Sequence, residues 1–181
     1  MLLYYFLFVF PVIALLSAAA YAPFALSARG KERSRWYHLA RFALIGCGLS
    51  LIYLTVLWYY PNISFHVEYH FLNLQPFVWL TECYEMGVRR MLRQLAMNIV
   101  MFIPYGLLLP IAFRLLRDWW KTGLAVLATT VTIETIQYFI GRSADIDDVI
   151  MNLTGGLLGY GLYCVLNRLL KKRSWWQGML G

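Results

Sequence analysis

Long apolar runs separated by short polar bridges dominate this chain. Residues 2–26 form the first run, which contains Pro11 and Pro23. It is long enough to cross a bilayer with a tilt or a kink, because about 20 helical residues span the hydrocarbon. Further runs at about 42–60, 95–113, 122–140 and 149–167 predict four more spans. Between the second and third lies the one long bridge, 61–94, where Phe71, Phe77, Trp79 and Tyr84 stand among polar residues. Such a mixture fits a segment lying at the membrane interface. The expected fold class is therefore all-α: a polytopic membrane protein of about five transmembrane helices with one long interfacial outer loop.

Composition agrees with lipid as the solvent. Of the 181 residues, 61% are hydrophobic and 14% charged, against roughly 45–50% and about 25% in soluble domains. Five helices and their loops use nearly the whole chain and leave no room for a separate soluble domain. The expected parts are 1–60, two N-terminal helices; 61–168, the outer loop with a three-helix core; and 169–181, a basic cytoplasmic tail. Ala20-Tyr21-Ala22 has the form of a signal-peptide cleavage site, but no basic residue precedes the first run, so that helix is expected to be retained.

The net charge of +7 would suggest nucleic acid in a soluble protein. Here the basic residues instead report orientation, since cytoplasmic loops are enriched in Lys and Arg. With the amino terminus outside, twelve fall inside: Arg29, Lys31, Arg33, Arg35 and Arg41; Arg114, Arg117 and Lys121; Arg168, Lys171, Lys172 and Arg173. Four fall outside: Arg89, Arg90, Arg93 and Arg142. The chain is expected in the cell membrane with its carboxyl terminus cytoplasmic and no nucleic-acid partner. Cys47, Cys83 and Cys164 make an odd set without a CxxC pair, so no disulfide framework follows.

That topology gathers polar residues at one depth. Asn98, Glu134, Gln137 and Asn152 all lie near the outer ends of the last three spans. Glu134 and Gln137 share a helix face, and a carboxylate facing lipid would cost on the order of 2.5–3.5 kcal/mol even on insertion scales. The face should therefore point into the bundle or a wet cleft. Just outside, Gly141 to Asp148 supplies Arg142 and the carboxylates of Asp145, Asp147 and Asp148. Each residue also has a structural reading: the amides as interhelical hydrogen-bond donors and acceptors, Glu134 as partner to an arginine, Asp147 and Asp148 as carboxylates at a helix N-terminus.

In order along the chain, Asn98-Ile99-Val100-Met101-Phe102-Ile103-Pro104-Tyr105-Gly106, Glu134 with Gln137, Gly141-Arg142 through Asp145 and Asp148 to Asn152, and Gly155-Gly156 resemble the VanZ-like family. Asn73-Leu74-Gln75-Pro76-Phe77 resembles the family's Asn-Leu-x-Pro-Phe segment, so the likeness covers about 70–168. The resemblance implies a cell-envelope membrane protein, named for low-level resistance to teicoplanin, an antibiotic that binds wall precursors at the outer surface.

Residue chemistry and resemblance together give an expected outer-leaflet site for a phosphate-containing lipid or lipid-linked wall precursor, whose head group an enzyme of this kind would modify. Its catalytic residues would be Glu134, Gln137, Asp145 and Asp148, with Glu134 the general acid or base. Asn98, Arg142 and Asn152 would bind the ligand, Arg142 taking the phosphate. Asp145, Asp147 and Asp148 would hold a divalent cation. The alternatives are a protein that only binds or shields such a precursor, and a small transporter moving a proton on Glu134.

Weaker signals remain. His66 and His70 have the spacing of a zinc pair if helical, and Asn62-Ile63-Ser64 is a glycosylation sequon. Gly155 and Gly159 form a small-residue face for packing inside the bundle or for a homo-oligomer. Trp119-Trp120 and Trp175-Trp176 suit interfacial anchors.

Overall fold

Serine and aspartate side chains cap the starts of three helices, and arginines meet the terminal carbonyls of others. The computed structural model describes residues 5–59, 72–78 and 87–181. Among these, seven α-helices form: α1 (Phe10–Leu26), entered through a π-helical turn at Tyr5–Val9, α2 (Ala28–Lys31), α3 (Arg35–Thr55), α4 (Val88–Ala112), α5 (Trp119–Phe139), α6 (Ile146–Leu170) and α7 (Ser174–Leu180). Two short strands, β1 (Leu72–Asn73) and β2 (Ala144–Asp145), pair in parallel, Leu72 beside Ala144 and Asn73 beside Asp145.

Several helices start earlier than the apolar runs suggested, two of them because side-chain caps set their ends. Ser34 accepts from the Tyr37 N–H and starts α3 at Arg35, drawing Arg41 into the helix. Asp145 accepts from the Asp147 N–H and starts α6 at Ile146, so Asp147 and Asp148 lie in the first turn and not in a loop. Carboxylates are favoured there by the unpaired N–H groups. Helix α4 begins at Val88 and takes Arg89 and Arg93 out of the expected loop.

Four helical stretches are long and apolar enough to cross a membrane: Leu7–Leu26, Arg35–Thr55, Met91–Ala112 and Ile146–Leu170. Their outward faces expose Leu15, Ile52, Val100, Leu158 and Val165, a surface made for hydrocarbon. The protein is an all-α, multi-pass membrane protein. The fifth expected span, α5, is as long as α3, but Thr122, Thr130, Glu134 and Gln137 lower its apolar content. All four are buried on one face, and Leu124, Val131 and Phe139 are exposed on the remainder. Among the described residues five long helices are present, and four have the composition of a span.

Helices α4 and α6 make the closest approach. A methyl group added at Gly155 would strike the Ile99 carbonyl, one at Gly159 the Ile103 carbonyl, and one at Gly106 the Gly156 carbonyl. Backbones meet directly, as small residues allow in membranes. Gly155 and Gly159 are therefore buried against α4 of the same chain.

Terminal helix carbonyls need donors where water is excluded. Arg41 Nη2 donates to the Ala112 carbonyl, the last of α4, at 2.6 Å. Arg117 donates to the Pro110 and Leu180 carbonyls. The 169–181 region, expected as a basic cytoplasmic tail, contains α7, which lies against the start of α3, where Ser34 Oγ donates to the Gly178 carbonyl at 2.9 Å. Trp176 is buried beside Tyr163 and donates to Asn167 Oδ1 at 2.9 Å. It is a packing residue, in contrast to the exposed Trp119 and Trp120.

Candidate functional site

The polar residues singled out in the sequence converge at the opposite end of the bundle from α7. Three helices contribute to this layer because their polar positions recur at helical spacing: Thr130, Glu134 and Gln137 on α5, Asp148 and Asn152 on α6, Asn98 on α4. Asn98 Nδ2 donates to Asp148 Oδ1 at 2.5 Å. Asn152 Nδ2 donates to Thr130 Oγ1 at 2.8 Å. Glu134 Oε2 accepts the Asp145 N–H at 3.1 Å, tying α5 to the start of α6. Glu134 also lies within electrostatic reach of Asp148, Arg142 and Asp145.

Gly141, at φ +82°, makes the turn between α5 and α6, a backbone conformation that favours glycine. The turn aims Arg142 back at the bundle, where Nη1 donates to the Thr55 carbonyl at 2.6 Å. Gln137 Nε2 donates to the same oxygen at 2.9 Å. Thr55 ends α3, so a cation and an amide meet the negative end of that helix.

Residues 72–78 cover the layer from the side. Asn73 Nδ2 donates to Asp145 Oδ1 at 3.1 Å, and the Phe77 N–H donates to Asp147 Oδ1 at 2.7 Å. Asn73 also folds its own segment, its Oδ1 accepting the Gln75 N–H. Between this segment, α5 and α6 lies a cavity of about 290 Å³. Its walls include Leu72, Leu74, Val131 and Val149, and its polar positions are Asn73, Glu134, Thr135, Tyr138 and Asp145. Glu134 is only 6% exposed.

The three aspartates are divided among different partners: Asp145 holds Asn73 and the Asp147 N–H, Asp147 holds Phe77, and Asp148 holds Asn98. Among the described residues no three His, Cys, Asp or Glu side chains group as metal ligands. The divalent-cation site expected from Asp145, Asp147 and Asp148 is not assembled in this geometry, because helix capping and the 72–78 segment claim the carboxylates separately. His66, His70 and Asn62 lie outside the described residues.

Asn98, Glu134, Gln137, Arg142, Asp145, Asp148 and Asn152 are thus brought into one layer, but of these Glu134 and Asp145 alone line the cavity, while Asn98, Gln137, Arg142, Asp148 and Asn152 lie behind it on protein partners. Thr55, Thr130 and Asn73 were not among the expected site residues. Thr130 had a signal, since it lies one turn before Glu134 on the same face, and Asn73 had one in its sequence motif. Thr55 contributes a backbone carbonyl, which no side-chain pattern reveals.

These features define a multi-pass membrane protein with a buried polar layer and a lateral cavity at one end of its bundle. The chain belongs to the VanZ/LLP1 family, whose model matches residues 42–167. It is 34% identical over 129 residues to Protein VanZ of Enterococcus faecium, covering 70% of this chain and 74% of that protein. No solved structure matches the chain.

Proposed function

We propose that this protein acts at the outer leaflet of the cell membrane on a phosphate-containing lipid or lipid-linked cell-wall precursor, and thereby affects susceptibility to a glycopeptide such as teicoplanin. The cavity beside Glu134 carries the reading. Its apolar walls suit a hydrocarbon chain, and Glu134 and Asp145 provide a polar end for a head group. Arg142 is near enough to act electrostatically on Glu134 and Asp148. In this reading Arg142 holds the phosphate by charge-assisted hydrogen bonds and Glu134 serves as general acid or base. Asn98 and Asn152 act from behind by fixing Asp148 and Thr130. The excess of Lys and Arg at the other end of the bundle supports the outward orientation.

A second reading is that the site binds or shields the precursor without chemistry. It is favoured by the protein bonds that hold Glu134 Oε2, Asp148 Oδ1 and Arg142 Nη1. Glu134→Gln separates the two, since glutamine still accepts the Asp145 N–H but has no ionisable proton. Lipid turnover and teicoplanin susceptibility are measured for Glu134→Gln and Arg142→Lys at matched membrane abundance. An enzyme loses turnover in Glu134→Gln while retaining ligand; a shielding protein keeps its phenotype. If both variants match the parent, the polar layer is structural and the proposal fails.

A further inference from the structure

The chain between α1 and α3 is a turn fixed by its own caps. Ser27 accepts the Gly30 N–H at 3.1 Å, the Arg33 N–H donates to the Gly30 carbonyl at 2.9 Å, and Ser34 then starts α3. Gly30 is buried in this turn, where a Cβ would strike the Phe24 carbonyl. Arg33 is thereby set against the first turn of α3, its guanidinium carbon 5.0 Å from the centre of the Tyr37 ring. Arg41, one turn beyond Tyr37, lies over the same ring at 3.1 Å. Two cations share one aromatic side chain.

Arg41 has no counter-anion. It is half-buried within the Arg35–Thr55 span, about 9 Å along the helix from Arg35 at a rise of about 1.5 Å per residue. The groups that act on its charge are Tyr37, Tyr21 and Arg33, and no carboxylate is among them. Glu32 is the one acid of residues 5–59, against Arg29, Lys31, Arg33, Arg35 and Arg41, and it joins no ion pair among the described residues. Tyr21 is engaged with His38 Nδ1 at 3.0 Å. A guanidinium inside a span is costly without an opposite charge, and a like charge beside it adds to the cost.

Beside Arg41 lies an apolar space. Arg41 and Tyr37 form one side of a cavity of about 270 Å³, and Phe24, Leu44, Ile45 and Phe113 line the rest. Phe24 is 38% and Phe113 49% exposed, so the cavity opens sideways toward hydrocarbon. We infer that this cavity binds an anionic phospholipid, its phosphate held by Arg41 and Arg33 and one acyl chain lying against Phe24, Ile45 and Phe113. A free phosphate would leave the apolar wall uncovered. A zwitterionic head group would bring an ammonium to two guanidiniums, and the Tyr37 face that could take it is covered by Arg41. A head group of net negative charge meets both requirements, as basic pockets between membrane helices do elsewhere. The site is at the opposite end of the bundle from Glu134 and does not rest on the proposed function. Bound there, the lipid bridges α1, through Phe24, to the end of α4, through Phe113.

The test uses full-length protein in neutral detergent micelles, titrated with phosphatidylglycerol, phosphatidylcholine and glycerol phosphate. Binding is read from adducts in native mass spectrometry and from the rise in unfolding temperature. Phosphatidylglycerol is expected to bind about tenfold more tightly than phosphatidylcholine, the worth of one hydrogen bond to a charged group. Arg41→Gln should abolish that preference. Arg33→Gln, at an exposed position that leaves the fold intact, should reduce it severalfold, and Ile45→Phe should weaken phosphatidylglycerol binding by filling the cavity with every charge in place. Lys172→Gln removes the same charge from an exposed residue outside the cavity and should change nothing. Equal binding of phosphatidylcholine overturns the inference. So does a loss in Lys172→Gln as large as in Arg33→Gln, which would mean diffuse attraction by a basic surface. Glycerol phosphate stabilising as well as the lipid overturns it in favour of a free anion. Phosphatidylglycerol binding that survives Arg33→Gln and Ile45→Phe but is lost in Glu134→Gln belongs to the other cavity, and overturns this inference while supporting the proposed function.

Discussion

Gln137 and Arg142 are joined through one atom: the Thr55 carbonyl oxygen accepts from Gln137 Nε2 at 2.9 Å and from Arg142 Nη1 at 2.6 Å. The Arg142 N–H in turn donates to the Gln137 carbonyl at 2.9 Å. Two residues that share a buried acceptor should not contribute independently. Gln137→Ala and Arg142→Ala are each expected to lower stability, and the double variant should lose less than the sum, with a coupling of about 1 kcal/mol. Thermal or denaturant unfolding of the four proteins in detergent measures it; strict additivity would show that Thr55 is satisfied another way.

Orientation is tested by cysteine labelling. Ser143, in the α5–α6 turn, and Ser174, at the start of α7, are both exposed. In a cysteine-free background, Ser143→Cys should react with an impermeant maleimide on intact cells, and Ser174→Cys only after permeabilisation. The opposite pattern would put the cavity in the cytoplasm and defeat the outer-leaflet proposal.

The α4–α6 contact predicts unequal effects at neighbouring glycines. Gly155→Leu should reduce the folded yield and lower stability by about 3 kcal/mol or more, because the side chain meets Ile99 backbone and not a movable rotamer. Gly161 has open space at the same point of the residue, and Gly161→Ala should be neutral or stabilising by up to about 1 kcal/mol. Size-exclusion profiles and melting temperatures distinguish the two.

Asp147 anchors the 72–78 segment through one backbone bond, so the Phe77 amide should be protected from hydrogen exchange in the parent protein. Asp147→Ala is expected to speed that exchange about tenfold or more, the equivalent of a hydrogen bond to a charged group. Peptide-resolved hydrogen–deuterium exchange in micelles provides the readout, with α4 peptides as the unchanged reference.

The apolar runs were enough to read long membrane helices, and the shared depth of Asn98, Glu134, Gln137 and Asn152 was enough to read a polar layer. Both follow from helical periodicity and the poor solvation of polar groups in lipid, which are properties of individual segments. Helix starts were less legible, since Ser34 and Asp145 begin helices ahead of the apolar runs by accepting backbone N–H groups. The partners of the layer were not legible at all where they are backbone atoms. Thr55 O, the Asp145 N–H and the Phe77 N–H are offered equally by every residue type, and the tertiary fold alone decides which of them a side chain reaches. The aspartates look alike in sequence for the same reason, although Asp145 caps a helix, Asp147 holds a covering segment and Asp148 holds Asn98.

Direct backbone contact between α4 and α6 also determines which parts of the molecule are able to move. Where two helices meet without side chains between them, sliding or rotation has no rotamers to rearrange and runs at once into overlap. Asn98, Asp148 and Asn152 therefore ride on a fixed frame. The 72–78 segment is attached to that frame and its turn by the β1–β2 pair and by the hydrogen bonds of Asn73 and Phe77, contacts that part without disturbing any packed helix. Under the proposed function, a ligand too large for the cavity would therefore be accommodated by lifting the 72–78 strand from a rigid wall and not by moving α4 against α6.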